Sequence, residues 1–221
     1  MVSVRIPEPE DHDVLVAALY EAGTVGIVEG EGYVEAFFED AQAAAAFGEP
    51  HETENVDWVE KTKEAWPPLF IGQRLFVVAP WRSDPTPEGR FRLEINPGMQ
   101  CGTGQHPCTQ LCLEAMDFLI YPGASVLDVG SGSGILAKAA KLLGAERVVA
   151  CDIDPGAAEA ATVPFFVGSV NAVRANSFDF VIANINQEVI DALKPDLERV
   201  ARRRILSGFK NDDGDWTCVV T

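Results

Sequence analysis

Glycine and carboxylate residues in the middle of the chain have the types and spacing that bind a nucleoside. Gly130, Gly132 and Gly134 alternate directly after a short apolar run, and a helical pattern follows them. Glycine has no Cβ atom, so the backbone at these positions can approach a ligand closely. Asp152 ends a second apolar run about 20 residues later, where a carboxylate can accept hydrogen bonds from two ribose hydroxyls. The pattern predicts a nucleotide-binding βαβ unit.

The glycine spacing also discriminates between nucleotide ligands. Ile135 stands where a dinucleotide fingerprint has its third glycine, so an NAD-dependent oxidoreductase is a distant alternative. The segment from Asp128 to Gly134, together with Asp152, resembles motif I and its acidic partner in S-adenosylmethionine (SAM) methyltransferases. An ordinary strand-turn-helix with flexible glycines is the simpler alternative, which the placed acid disfavours.

A second Gly-rich segment leads into a helix that the sequence predicts from about Pro107 to Leu119. Free N–H groups at a helix start can hold a carboxylate, such as that of a bound amino-acid moiety. Gly102 and Thr103 are therefore candidate cofactor contacts. Thr109 can cap the helix or contact the ligand, and a simple capped turn is the alternative. His106 is a candidate general base, although a histidine that caps the helix or pins the loop is the favoured interpretation.

Asn184 follows a predicted strand from Phe178 to Ala183, which puts its amide beside the cofactor crevice. A turn asparagine is the alternative. No metal site is expected. Cys101, His106, Cys108 and Cys112 match no usual structural zinc spacing, and two of these cysteines share a helix face as core residues do.

The residues before position 60 predict a small domain of their own, with the element order β-α-β-β-α-β of a ferredoxin-like fold. The predicted elements are a strand Val2 to Ile6, a helix from Asp11 or Asp13 to Ala22, a hairpin of Val25 to Glu29 with Tyr33 to Phe38, a helix capped by Asp40 and reaching Phe47, and a strand Thr53 to Trp58. We expect this domain at 1–59, a charged helical linker at 60–68, and a second domain at 69–221.

The sequence of the second domain predicts a Rossmann-like, doubly wound α/β sheet. The expected strands are Leu75 to Ala79, Phe91 to Ile95, Val126 to Val129, Val148 to Cys151, Val163 to Val167, Phe178 to Ala183, Arg204 to Phe209 and Trp216 to Thr221. The further expected helices are Ile135 to Leu143, Pro155 to Ala161 and Glu188 to Ala201. The connection from Lys210 to Asp215 is too short for a parallel crossover, so the last two strands should be antiparallel.

Composition narrows the class of protein further. With 221 residues, of which 47% are hydrophobic, the chain can bury a sizeable core. The apolar runs are too short to span a membrane, so we expect a soluble, cytoplasmic protein. The odd number of cysteines favours free reduced thiols. We expect a monomer. The formal net charge of −17 disfavours direct nucleic-acid binding and favours a basic protein partner, although the charge can also serve solubility.

Five segments in this order resemble the PrmA family of bacterial SAM-dependent methyltransferases, which modify the eleventh protein of the large ribosomal subunit. The segments are GTGQHPCT, LDVGSGSGIL, ACDIDP, FVIANI and RILSGF, with Asp57-Trp58 before them and Trp216 after them. The likeness covers nearly the whole chain and implies a substrate-recognition role for the N-terminal domain. It assigns SAM binding to Thr109, Gly130, Asp152 and Asn184.

The chain also departs from the family pattern. Cys101 replaces an aromatic residue, Cys108 replaces a threonine, the helix after Asp154 is shorter, and a helix and a strand are missing between Phe209 and Trp216. Gly168 and Ser169 are weaker candidates for the adenine side. The resemblance implies methyl transfer from SAM to α-amines or lysines of a ribosomal protein, with Asn184 orienting the amine. Other lysine or small-amine methyltransferases, and a SAM-binding protein without activity, are the alternatives.

Overall fold

The computed structural model describes residues 1–7, 12–30, 32–53, 66–96 and 104–221. It divides into two compact units, Met1–Ala65 and Trp66–Thr221. Several predictions lie outside the described residues: the cofactor contacts Gly102 and Thr103, most of the strand Thr53 to Trp58, and most of the helical linker. Among the helices that the structure describes, none is long and apolar enough to cross a lipid bilayer.

The N-terminal unit has the element order β-α-β-β-α-β, but its last strand is His51–Glu52, before the predicted strand Thr53 to Trp58. Its four strands form one sheet in the order β2-β3-β1-β4, with β1 antiparallel to both β3 and β4. Asp40 caps α2 as predicted, because its side chain accepts a hydrogen bond from Gln42 N at 2.8 Å. The elements are β1 Val2–Pro7, α1 His12–Glu21, β2 Gly26–Gly30, β3 Tyr33–Phe38, α2 Ala41–Ala45 and β4 His51–Glu52.

A three-stranded sheet opens the second unit. Its strands are β5 Leu69–Ile71, β6 Leu75–Val78 and β7 Phe91–Glu94, of which the sequence analysis missed β5. Asp117, on the helix α3 (Pro107–Leu119), ties the β5–β6 turn to that helix. Its carboxylate accepts from Gln73 N at 2.7 Å and from Arg74 Nε at 2.9 Å. Because Asp117 is buried, this contact fixes α3 firmly against the small sheet.

The main sheet has six strands in the order β10-β9-β8-β11-β12-β13. All neighbours are parallel except the last pair, since β13 runs antiparallel to β12. The doubly wound α/β prediction and the antiparallel final pair are both confirmed. The elements are β8 Ser125–Val129, α4 Ile135–Leu142, β9 Arg147–Asp152, β10 Phe165–Val167, β11 Phe178–Asn184, α5 Gln187–Val200, β12 Ala201–Lys210 and β13 Trp216–Val220.

Helices cover the two faces of this sheet and create two cores. Helices α3 and α4 pack on one face, where Cys112, Met116 and Ile135 are buried together. On the other face α5 buries Leu197 and Val200 against β8 and β11. Helix α3 begins and ends where the sequence predicts, and on it Leu113 is fully buried whereas Leu111 is half-buried.

The segment after Asp154 is short, as expected, and forms a 3₁₀ turn at Pro155–Glu159 instead of an α-helix. Asp154 caps this turn by accepting from Gly156 N at 2.8 Å. The chain then reaches β10 directly. This side of the sheet therefore has one short turn where a doubly wound fold usually has a full helix.

Candidate cofactor and active site

The strand register brings three predicted site residues to the same level of the sheet. Val129 on β8 lies opposite Cys151 on β9 and opposite Ala183 on β11. The next residue of each strand is therefore Gly130, Asp152 or Asn184. Because the strands are parallel, all three residues leave the sheet at its carboxyl edge, where ligands bind in open α/β sheets.

The turn after β8 is held against β9 by backbone hydrogen bonds. Gly130 N and Ser131 N both donate to Cys151 O, at 2.9 and 3.1 Å. Gly130 has a φ of +71°, and a Cβ atom there would lie 2.5 Å from Ile185 Cγ2. A side chain at this position would therefore be strained and would collide with the residue that follows Asn184.

Asp128 lies beneath the turn and is completely buried. Its Oδ2 accepts from Ser131 Oγ at 2.9 Å and from Ala137 N at 3.1 Å. Its Oδ1 has no hydrogen-bond partner among the described residues. Burial raises the pKa of Asp128 to about 6, against the effect of the Ser131 and Ala137 hydrogen bonds. A buried carboxylate oxygen without a partner marks a place for a ligand donor or an ordered water.

Asp152 is half-buried at the end of β9 and already has two backbone partners. Its Oδ2 accepts from Gly132 N at 2.9 Å, and its Oδ1 accepts from Asp154 N at 3.0 Å. Each carboxylate oxygen can accept a second hydrogen bond. Asp152 thus fixes the glycine turn and retains capacity for ribose hydroxyls. Gly168 N donates to Asp152 O at 2.8 Å, which puts the weaker adenine-side candidate next to Asp152 along the backbone.

Asn184 is joined to Thr109, although the two residues are far apart in the chain. Asn184 Nδ2 donates to Thr109 Oγ1 at 3.1 Å. Thr109 is buried in the first turn of α3, and Asn184 is half-buried. The bond connects the end of β11 to the helix that follows the second glycine segment. It uses the amide nitrogen of Asn184 and leaves the carbonyl oxygen for another donor.

His106 is exposed and caps α3. Its Nδ1 accepts from Cys108 N at 3.3 Å, and its ring lies edge-on to Trp216 with centroids 4.6 Å apart. Lys210 Nζ in turn lies 5.1 Å from the centre of the Trp216 ring. In a neutral imidazole whose Nδ1 accepts a hydrogen bond, the proton is on Nε2. The contact of Trp216 with His106 has no signal in the sequence.

The cysteines of the second glycine segment do not form a metal cluster within the described residues. Cys108 and Cys112 are both buried on α3, and Cys101 is outside the described part of the chain. No group of three or more potential ligands occurs among the residues that the structure describes.

Asp128 is the site residue that sequence reasoning used without assigning it a role. Its position as the first residue of the D-x-G-x-G-x-G pattern was visible, but its complete burial and its unpartnered oxygen are properties of the folded chain. A carboxylate at the end of a buried strand, directly before a glycine turn, was the available signal.

Comparison with known proteins identifies the family. The family model for ribosomal protein L11 methyltransferase (PrmA) matches residues 9–211. The chain belongs to the ribosomal protein L11 methyltransferase family. This family is SAM-dependent, so the sequence-level resemblance is confirmed.

Individual relatives agree with this assignment. A ribosomal protein L11 methyltransferase from Paraburkholderia xenovorans is 38% identical over 192 residues, covering 84% of this chain and 58% of the relative. A Burkholderia multivorans protein of the same name is 45% identical over 141 residues, which cover 61% of this chain and 47% of that relative. The chain thus spans about half the length of these curated relatives.

A solved structure supports the fold. The ribosomal protein L11 methylase of Lactobacillus delbrueckii subsp. bulgaricus superimposes with a TM-score of 0.58 and 30% identity. The superposition covers 65% of this chain and 80% of that one. The Rossmann-like class of the main sheet is therefore shared with a family member.

Proposed function

We propose that this chain binds SAM and transfers its methyl group to amines of a basic ribosomal protein. The observation that carries the proposal is the register that aligns Gly130, Asp152 and Asn184 at one edge of the sheet. A glycine turn, an acid and an amide at this edge match the needs of a nucleoside with an amino-acid tail. Membership of a SAM-dependent family supports the same ligand.

The residues present fit SAM as a ligand. The unpartnered Oδ1 of Asp128 suits the ammonium group of the methionine moiety, directly or through a water. Asp152 has capacity for the ribose hydroxyls, because each of its oxygens accepts only one backbone hydrogen bond among the described residues. Gly102 and Thr103 remain proposed contacts for the carboxylate.

When bound, SAM supplies an electrophilic methyl group on a positively charged sulfur. The acceptor must be a neutral amine, and a lysine with a pKa of about 10.4 holds its proton more tightly than an α-amine of about 8. We propose that Asn184 Oδ1 accepts one N–H of the acceptor and points its lone pair at the methyl group. A neutral amide suits this role, since a carboxylate there would stabilise the unreactive ammonium.

For His106 we propose a positioning role, although the sequence also allowed a general base. Nδ1 is the helix cap, so the neutral ring carries its proton on Nε2 and has no lone pair for an amine proton. Proton removal by Nε2 would require the other tautomer and would break the cap. The contact with Trp216 further restricts the ring.

The N-terminal unit is proposed to recognise the substrate, as the family resemblance implies. Its compact four-stranded sheet has a surface of its own on which a protein can dock. The net charge of −17 favours a basic partner over nucleic acid. A cytoplasmic monomer remains the proposed state and location.

Two variants test the proposal. Isothermal calorimetry with SAM should give measurable binding to the unaltered chain, and Asp152→Ala should weaken it by about 1–3 kcal/mol, the cost of leaving hydroxyl donors without partners. Asn184→Asp should bind SAM with similar affinity but transfer label from SAM to a ribosomal extract at least ~10-fold more slowly, a barrier increase of about 1.4 kcal/mol. Unchanged turnover in Asn184→Asp would remove Asn184 from the mechanism.

A SAM-binding protein without transferase activity is the second candidate. The short turn at Pro155–Glu159 favours it. Binding of SAM without any labelled acceptor would support this candidate. A labelled protein other than the basic ribosomal one, or a labelled small amine, would change the substrate and keep the enzyme class.

A further inference from the structure

Two cysteine side chains lie between helix α3 and β13, the last strand of the main sheet. Cys112 lies on the inner face of α3 and is fully buried in the core. Cys218 lies on β13, is half-buried, and packs against that same core. Helix α3 packs against β13, and each of the two thiols shifts the pKa of the other, raising it for Cys112 and lowering it for Cys218. The two side chains therefore lie close together, although they are far apart in the chain.

The antiparallel hairpin explains why Cys218 faces α3. Cys218 lies opposite Ser207 on β12, and residues that lie opposite each other in such a pair share one face of the sheet. Ser207 is buried, lies beside the Cys112 thiol, and donates to Thr217 O at 2.6 Å. The hairpin therefore holds Cys218 toward α3 by the strand register and by a side-chain hydrogen bond.

We propose that Cys112 and Cys218 form a reversible oxidation site, at which a peroxide converts the two thiols into a disulfide between α3 and β13. A disulfide requires the two Cβ atoms to lie about 3.8 Å apart, so the bond depends on the packing of α3 against β13 that brings these side chains together. This modification is independent of the cofactor and of methyl transfer.

The reaction is balanced with one molecule of hydrogen peroxide. The Cys218 thiolate attacks one peroxide oxygen, the O–O bond breaks, and the leaving hydroxide takes up a proton to become water. Cys218 is then a sulfenic acid. The Cys112 sulfur attacks the Cys218 sulfur, its proton goes to the departing hydroxyl group, and a second water leaves. Both sulfur atoms are oxidised and the peroxide is reduced.

The environments of the two thiols set this order of attack. The Cys112 thiol lowers the pKa of Cys218, against the effect of burial. The Cys218 thiol, together with burial, raises the pKa of Cys112. The thiolate is the nucleophile, and Cys218 is also the more exposed of the two, so the peroxide reacts there first.

The neighbouring cysteines provide matched controls. Cys108 and Cys151 are buried, and burial with the nearby Asp128 carboxyl raises the pKa of Cys151 to about 12. A thiol with so high a pKa is almost fully protonated at neutral pH and reacts slowly. Cys108→Ser and Cys151→Ser should therefore leave the oxidation unchanged.

The experiment treats the reduced full chain with a small excess of hydrogen peroxide and measures intact mass and non-reduced peptide maps. The expected result is a mass lower by two hydrogen atoms and a peptide that links Cys112 to Cys218, both reversed by a phosphine reductant. Cys218→Ser, near the surface, should lose the linked peptide. Cys112→Ala gives the same test from the buried side and avoids an unpaired hydroxyl.

Thermal unfolding of the same samples provides an independent measurement. The oxidised chain should unfold at a higher temperature than the reduced chain, because the bond closes a long loop in the unfolded state, and Cys218→Ser should show no such rise. Sulfinic acid at Cys218 without a linked peptide would overturn the proposal. A disulfide to Cys101 would overturn it as well.

Discussion

At the scale of single residues, Asp128 combines complete burial with an unpartnered oxygen. Its pKa is about 6 in the folded chain, above the ordinary value of 3.8. As pH rises from 3.8 to 6, the unfolded chain releases this proton before the folded chain does. The free energy of unfolding therefore decreases over this pH range. A shift of this size corresponds to roughly 3 kcal/mol, which is fully expressed above pH 6.

We therefore expect Asp128→Asn to remove the pH dependence of folding stability that the Asp128 carboxyl causes. Urea unfolding at pH 4 to 7 should show the variant gaining stability relative to the unaltered chain as pH rises to about 6, with no further change above that pH. Asp179→Asn is the control, because its effect on stability should stay constant from pH 4 to 7 and change only at lower pH. Ser125 lowers the pKa of Asp179, so that carboxylate stabilises the fold above pH 3.8 and loses this effect as pH falls. If the stability of Asp128→Asn and that of the unaltered chain changed with pH in the same way, the raised pKa of Asp128 would be wrong.

His106 can be tested by a substitution that keeps the cap. Asparagine is among the best N-cap residues, whereas alanine in its place costs about 1 kcal/mol of stability. We expect His106→Asn to keep both folding and turnover, and His106→Ala to lose about 1 kcal/mol in urea unfolding. If both variants fold but neither transfers methyl groups, His106 acts on the proton and the positioning role is wrong.

At the scale of elements, the end of β12 is shaped by one close contact. Gly208 has a φ of +104°, and a Cβ atom there would collide with the backbone of Ile185. Ile185 N also donates a hydrogen bond of 3.0 Å to Ser207 O, in the same segment of β12. The strand that carries Asn184 and the strand that turns into the final hairpin thus approach as closely as a glycine permits.

Gly208→Ala should destabilise the chain more than a substitution in open space. We expect a loss of roughly 2–4 kcal/mol, from the left-handed backbone and from the collision with Ile185. Gly214→Ala, in the β12–β13 turn with a φ of +87° and no atom within 4 Å, should lose about 1–2 kcal/mol from the backbone conformation. Equal losses in urea unfolding would mean that the contact with Ile185 adds nothing.

Prediction of elements from the sequence succeeded where local patterns decide and failed where packing decides. The bounds of α3 and the antiparallel β12–β13 pair follow from a cap, a proline and a short connection, all local signals. The strand β5 escaped because Leu69–Ile71 is three residues long and follows two prolines. Whether Leu111 or Leu113 is buried depends on which neighbours α3 meets, and helical periodicity does not decide between them.

At the scale of the whole molecule, the net charge of −17 has a kinetic consequence for the proposed substrate. A basic protein is drawn to an acidic one over long range, and salt screens this attraction. We expect kcat/KM for the ribosomal protein to fall by about tenfold between roughly 0.05 and 0.5 M salt. SAM affinity should change little over that range, so calorimetry at both salt concentrations is the control. A flat salt profile for kcat/KM would exclude electrostatic recognition of the substrate.

The residues of the candidate site could be predicted from the sequence, but most of the contacts between them could not. The glycine turn, Asp152 and Asn184 carry type and spacing in the sequence, and parallel topology brings such residues to one edge. The bond from Asn184 to Thr109 spans 75 positions and exists because α3 packs across β11 and β12. The contact of His106 with Trp216 likewise depends on the packing of α3 against β13.

The short turn between β12 and β13 also affects how the sheet assembles in time. The entropy lost on closing a loop rises with its length, so this pair forms more readily than the parallel pairs of the main sheet, whose strands are separated by longer segments of chain. Hairpins close in about 1–10 μs, well before contacts between distant segments of a chain this long. The C-terminal edge can therefore join the nascent sheet as a preassembled unit, and Cys218 reaches α3 in that same step.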